Sequence, residues 1–119
     1  MNKKAEIEID VETRISHLIK KFNKLFPFLR IEVFRRGEDM GIDHRDFKLF
    51  DISSNKNPSS FKFDGESKVI DVETLFKEKL GLHIAIFRKM GTSIVETTFT
   101  SDWTLNHQNQ KGEEIFLAY

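Results

Sequence analysis

The sequence predicts an α+β fold: one domain built from a mostly antiparallel sheet with two to three helices packed on it. Three observations carry this. Residues 5–11 read AEIEIDV, with Ile7, Ile9 and Val11 alternating against Glu6, Glu8 and Asp10, as in a half-buried strand. From Ile15 the period lengthens, and Ile15, Leu18, Ile19, Phe22, Leu25 and Phe26 share one face of a helix. Further on, LRIEVFRR (29–36), LHIAIFRK (82–89) and TSIVETTFT (92–100) return to strand character by alternation or by β-branched content.

The expected order is β-α-β-β-β-β-α-β-β-α. The first strand runs through Val11, and Thr13 is the expected cap of the first helix, which Pro27 ends. In LRIEVFRR, Leu29, Ile31 and Val33 point inward. GEDMGIDHRD (37–46) reads as a polar loop and FKLFDI (47–52) as a strand. SSNKNPSS (53–60) has no periodicity and is the expected boundary between two halves. In FKFDGESKVI, Asp64-Gly65 supplies the positive φ values of a two-residue type I′ hairpin. Val72, Leu75, Phe76 and Leu80 give a short helix capped by Asp71 and closed by Gly81. Met90-Gly91 turns the last two strands. DWTLNHQNQKG (102–112) reads as a C-terminal helix capped near Asp102 or Thr104, and EEIFLAY as a docked tail or a last strand.

The bulk numbers exclude several partners. Of 119 residues, 19 are basic and 19 acidic, so no net field draws in nucleic acid or an anionic membrane. The absence of cysteine removes disulfides, thiolate nucleophiles and cysteine metal sites. MNKKAEIEID lacks the apolar core of a secretory signal, and nowhere do 18 apolar residues run together. The expected location is the cytoplasm. Asn57-Pro58-Ser59 is not a glycosylation acceptor, because proline holds the middle place.

IDVET occurs at Ile9–Thr13 and again at Ile70–Thr74. LRIEVFRR and LHIAIFRK also match position by position. The first pair is offset by 61 residues and the second by 53, and the letters of IDVET fall at different helix phases. A duplicated βαββ unit and convergent patterning both account for this.

Catalytic constellations are missing. Asp43-His44-Arg45-Asp46 holds the letters of a kinase HRD loop, but Asp51 stands where magnesium would need an asparagine. His44 between carboxylates is a candidate pH-sensitive group. None of His17, His44, His83 and His107 are spaced for a helical metal pair. No phosphate-binding glycine loop or nucleophile elbow is present. No catalytic residue, cofactor or metal is therefore expected.

Two segments remain as candidate surfaces. In Phe34-Arg35-Arg36 and Phe87-Arg88-Lys89, both phenylalanines point away from the core and need cover. The C-terminal helix with Trp103 and Leu105, or the tail 115–119, would supply it. Left open, the six residues form an apolar–basic surface for a protein partner or a second copy. Arginines beside aromatic rings could also stack single-stranded bases, although balanced charge and a missing RNP1 pattern oppose that. The second segment, Trp103 with Asn106, His107, Gln108 and Asn109, is a run of hydrogen-bonding side chains suited either to a ligand or to a solvent-facing helix.

The stretch ETTFTSDWTLNHQNQKGEE (96–114), with LFKEKLGLHIAIFRK before it, resembles a group of small, uncharacterised bacterial proteins. That resemblance implies one structural unit and brings no activity, cofactor or site residue. The order of the second half is similar in topology to β-grasp, ubiquitin-like folds. The leading expectation is a non-enzymatic protein-interaction module, with a second copy of the chain among its candidate partners. A small-ligand binder or enzyme with an unrecognised site, and a single-stranded nucleic-acid binder using Arg35, Arg36, Arg88 and Lys89, are the alternatives.

Overall fold

Alternation and helical periodicity each place one apolar face inward. In the computed structural model, which describes residues 6–43 and 46–118, those faces meet in one core. The elements are β1 (Glu6–Ile9), α1 (Ile15–Leu25), β2 (Leu29–Arg35), β3 (Glu38–Asp39), α2 (Met40–Asp43), β4 (Phe61–Asp64), α3 (Val69–Leu80), β5 (His83–Met90), β6 (Ser93–Glu96), a 3-10 turn (Thr98–Thr100) and α4 (Leu105–Ala118). The fold is α+β with two antiparallel sheets. One has the order β3-β2-β5-β6 and the other pairs β1 with β4. The side chains of Ile31, Val33, Ile84 and Ile86 bury one face of the larger sheet. Ile7, Ile9, Phe61 and Phe63 bury the smaller one, and the stripes Ile15-Leu18-Phe22 and Val69-Val72-Phe76-Leu80 fill the space between.

The chain is a structural repeat: β1-α1-β2-β3 and β4-α3-β5-β6 are two βαββ units. Equivalent strands pair antiparallel, β1 with β4 and β2 with β5. An approximate twofold axis therefore runs through the Glu8–Lys62 and Glu32–Ala85 pairs. The loops that lead into the helices agree atom for atom. Asp10 N–H donates to Thr13 Oγ1 (3.0 Å), and Glu12 N–H to Asp10 Oδ1 (2.9 Å). Asp64 N–H donates to Ser67 Oγ (3.0 Å), and Glu66 N–H to Asp64 Oδ1 (2.8 Å). Each helix is then anchored by a later segment. Ile15 N–H and Leu49 N–H reach Phe47 O and Thr13 O, while Val69 N–H and Leu105 N–H reach Trp103 O and Ser67 O. Asp46-Phe47-Lys48-Leu49 and Asp102-Trp103-Thr104-Leu105 are thus the same anchor used twice.

The IDVET words are not the repeat. The first copy spans the end of β1 and the turn after it, whereas the second lies wholly inside α3. The segment equivalent to Ile9–Thr13 is Phe63–Ser67. Its Asp64-Gly65 does not turn a hairpin, because Asp64 and Ser67 close the helix-entry loop and β4 takes β1 as its partner. The strand placed after Gly65 is the first turn of α3, whose cap is Lys68 rather than Asp71. The second half is therefore βαββ and loses its likeness to the β-grasp order. FKLFDI makes one bridge, Arg14 to Lys48, and then a single helical turn that buries Leu49 and Ile52. The first helix is entered through Arg14, since the Thr13 side chain is spent on Asp10.

The loop 37–46 also differs from expectation. Arg36 (φ 53) and Gly37 (φ 83) form a two-residue turn, and β3 pairs back on β2. The segment 53–60 joins the units and covers the end of α3: Ser54 N–H donates to Leu80 O, Ser59 N–H to Lys79 O and Asn55 Nδ2 to Glu78 O. Gly81, in the left-handed region, closes that helix as expected.

The units differ beyond the anchor. After Leu49 the chain completes one turn and leaves. After Leu105 it continues as α4 to Ala118, so EEIFLAY is helical through that residue. Thr104 Oγ1 caps this helix by accepting from His107 N–H (3.1 Å). The second unit is adapted to the extra helix. A Cβ on Gly65 would stand 2.2 Å from Asn106 Oδ1, and one on Gly112 would stand 2.8 Å from Phe28 Cβ. The first unit carries exposed Val11 where the second has Gly65.

Candidate interaction surface

Strand alternation separates the six residues expected to share one apolar–basic surface. Phe34 and Phe87 lie on the sheet face opposite the core. With Gly37, His83, Ala85 and Glu96 they line a hollow of about 320 Å³, and the Phe34 ring lies 6.0 Å from that of His83. Ala85, small and buried, lies two positions from Phe87 on the same strand face. Arg35 and Arg88 project to the other face, in register with Ile31, Val33, Ile84 and Ile86. Arg36 sits in the β2–β3 turn, and the Lys89 ammonium donates to Pro27 O at 2.9 Å. The four basic residues therefore form no single stripe along which a nucleic-acid backbone could run.

The helix expected to cover Phe34 and Phe87 packs elsewhere. α4 crosses the core-side face near Arg88, and none of its residues line that hollow. Trp103 lies beneath the Arg88 guanidinium, 5.5 Å from the ring centroid, and Leu105 is fully buried.

The polar run of α4 is spent on internal bonds. Gln108 is fully buried: Nε2 donates to Thr100 O (2.9 Å) and Thr100 Oγ1 (2.6 Å), and Oε1 accepts from Arg88 Nη1 (3.1 Å). Asn109 Oδ1 accepts from Phe28 N–H (2.9 Å), and Asn106 Nδ2 donates to Glu66 Oε1 (3.0 Å). The His107 ring meets Trp103 edge-on at 4.4 Å. Asn106, Gln108 and Asn109 thus act as staples that hold α4 to both units. Sequence reading missed this because their partners lie in other elements: β5, the 3-10 turn and the loops that lead into α3 and β2. The Nε atoms of Arg35 and Arg88, at equivalent positions of the two units, are buried without a hydrogen-bond partner among the described residues.

The surface that sequence reading overlooked is the edge of the sheet. Among the described residues β6 pairs with β5 on one side only, and all four of its residues are exposed. Ile94 and Val95 are among its exposed apolar residues, and Phe99, just beyond it, is completely exposed. At the other end of this edge, Met90, Gly91, Thr92 and Ser93 of the hairpin face Phe116 and Leu117 of α4 across a hollow of about 700 Å³. β-Branched residues in TSIVETTFT signalled a strand. Its place at the edge depends on the order of all four strands, which no local pattern reports.

Of the titratable groups, Glu73 on α3 is held above the ordinary carboxylate range. Burial is the main cause; His83 opposes the shift and Glu96 adds to it. Among the described residues, no group of three or more histidine, aspartate or glutamate side chains is gathered as metal ligands would be. No helix among them is long and apolar enough to cross a membrane. His44 and Arg45 of the HRD segment lie outside the described residues. Comparison with protein families, with curated proteins and with solved structures finds no match.

Proposed function

We propose that this chain is a non-enzymatic protein-interaction module that recognises its partner by strand addition to β6. The observation that carries the reading is a four-residue edge strand with every residue exposed, two of them β-branched and apolar. Such an edge offers unpaired backbone groups to an incoming strand, and natural folds usually blunt it with charge, proline or cover. β6 has Glu96 alone for that purpose. The opposite edge is treated differently: β3 is two residues long and runs straight into α2. The open hollow at Phe34 and Phe87 continues the same surface, because Phe87 pairs with Glu96 and Lys89 with Ile94. A cysteine-free sequence fits a reducing compartment, and the cytoplasm is the proposed setting.

Proline at Ile94 is the direct test. Thr97 N–H donates to Ile86 O (3.0 Å), so Ser93, Val95 and Thr97 turn their backbone groups toward β5. The N–H of Ile94 faces outward, and Ile94→Pro removes a donor that the folded chain does not use. Immobilised wild-type protein should retain a defined set of proteins from cell extract, and the variant should lose them at unchanged melting temperature. Retention of the same set by Ile94→Pro, or of none by a wild-type protein that is also monomeric in solution, would refute strand addition. A melting shift induced by small metabolites, with no protein retained, would favour a ligand-binding role instead.

A further inference from the structure

We infer that the strand added to β6 is β6 of a second copy, so that two chains join into a continuous eight-stranded antiparallel sheet. The inference rests on the strand-addition reading and names its partner. Outward-facing backbone groups belong to Ile94 and Glu96, two positions apart. A twofold axis through Val95 pairs Ile94 with the partner's Glu96 and Glu96 with the partner's Ile94. Both outward positions on each chain are then satisfied. An axis through Glu96 would set two carboxylates face to face, which is unfavourable. An axis through Ile94 would align Glu96 with the partner's Thr92, in the hairpin turn. The molecule already uses antiparallel pairing of equivalent strands within itself, between β2 and β5.

The Val95 register brings two otherwise unexplained features together. Phe99 lies four positions beyond Val95 and Gly91 four positions before it. Antiparallel pairing sets the C-terminal end of each β6, with Phe99 in the 3-10 turn just beyond it, beside the partner's β5–β6 hairpin and the hollow that Phe116 and Leu117 wall. A completely exposed phenylalanine then meets an apolar hollow, and the contact occurs twice by symmetry. The area is sufficient. Weighting side-chain areas of about 150–250 Å² by the exposed fractions of Phe99, Phe116, Leu117, Ile94 and Val95 gives roughly 600 Å² per chain. Complete burial of these side chains would remove roughly 1,200 Å² in the pair, which with the strand backbones reaches the range of specific interfaces. With no net charge, two copies approach without global repulsion.

Sedimentation equilibrium across micromolar to millimolar concentration tests the inference. The expected mass rises from 14.0 kDa to twice that value. Phe99→Asp and Ile94→Pro should each shift the transition upward by tenfold or more in concentration, at unchanged circular dichroism; Val11→Asp, on the exposed turn after β1, should leave it in place. Because the chain has no cysteine, Val95→Cys gives a second readout. Val95 meets the partner's Val95 in a non-hydrogen-bonded pair, with Cα atoms about 4.5 Å apart, within disulfide range. The oxidised variant should run as a covalent dimer, and Thr92→Cys should not. A 14.0 kDa species at every concentration would overturn self-pairing. So would a dimer that survives both Phe99→Asp and Ile94→Pro. If the monomer still loses cellular proteins on Ile94→Pro, strand addition stands and only the identity of the partner falls.

Discussion

Replacing Gln108 by alanine should be among the most damaging single changes in this protein, although sequence reading places it on a solvent-facing helix. The side chain is fully buried and makes three hydrogen bonds: two to Thr100 and one from the Arg88 guanidinium. The two neutral bonds contribute about 0.5–1.5 kcal/mol each, and the charge-assisted one about 1.5–3 kcal/mol. Truncation also strands Arg88, whose Nε already lacks a partner among the described residues. The expected loss is about 3–5 kcal/mol, a large part of the ~5–15 kcal/mol that stabilises an ordinary domain. In a chain of this size that corresponds to a melting temperature lower by roughly 10–25 °C. Urea unfolding read by Trp103 fluorescence and by circular dichroism checks the figure, and coincident transitions establish that it applies to the whole fold. A double-mutant cycle with Arg88→Met isolates the cause. If the stranded guanidinium dominates, the double variant should recover at least 1 kcal/mol relative to the sum of the singles. A Gln108→Ala protein within about 1 kcal/mol of wild type, or strict additivity with Arg88→Met, would refute the assignment.

Glu73→Gln should raise the melting temperature at pH 7 and change nothing well below pH 4.5, the ordinary value for this group. Burial lifts the folded-state pKa, so the stability linked to protonation is complete at low pH and lost as pH rises through the lifted value; equal melting curves at pH 7 would contradict this. Gly65→Ala should cost about 1 kcal/mol, because the new methyl displaces Asn106 from Glu66; in an Asn106→Ala background the same change should be neutral. Thr97→Val should cost about 1 kcal/mol by removing the buried hydroxyl bond to Ile86 O (2.8 Å), and amide exchange in β6 should quicken.

How much of the fold was legible in the sequence depends on where the information lies. β1, α1, β2, α3 and β5 show themselves because each buries one face, and burial imposes a period on the letters. Asp64-Gly65 misleads because its letters satisfy a local rule for hairpins while a distant strand, β1, competes for the same edge. Pairing Ile7 with Phe63 and Ile9 with Phe61 buries four large side chains, which a local hairpin on β4 would leave without this partner. FKLFDI misleads for a related reason: one bridge is all that its anchoring role needs. The polar run of α4 reads as a ligand surface or a solvent-facing helix because nothing local says that Thr100, Arg88 and Phe28 wait opposite.

The internal repeat shows the same limit. Identity of letters, as in IDVET, marked two unrelated positions. The equivalent positions share hydrogen-bonding roles with different letters: Asp10-Val11-Glu12-Thr13 against Asp64-Gly65-Glu66-Ser67. Aligning those loops, and Asp46-Phe47-Lys48-Leu49 with Asp102-Trp103-Thr104-Leu105, would have revealed both units. Departures from the symmetry then become informative. Val11 gives way to Gly65 and Ile52 to Gln108 because α4, which has no counterpart after the first anchor, starts from the second anchor and packs against Gly65 and Arg88 there. α4 in turn brings Phe116 and Leu117 to one end of β6, while the extended β5–β6 hairpin carries Ile94 and Val95 to the rim. The first unit stops its edge after two residues. The proposed self-pairing thus uses one edge of a fold that is symmetric in its core, and a single self-complementary edge favours one closed pairing over an open chain of subunits.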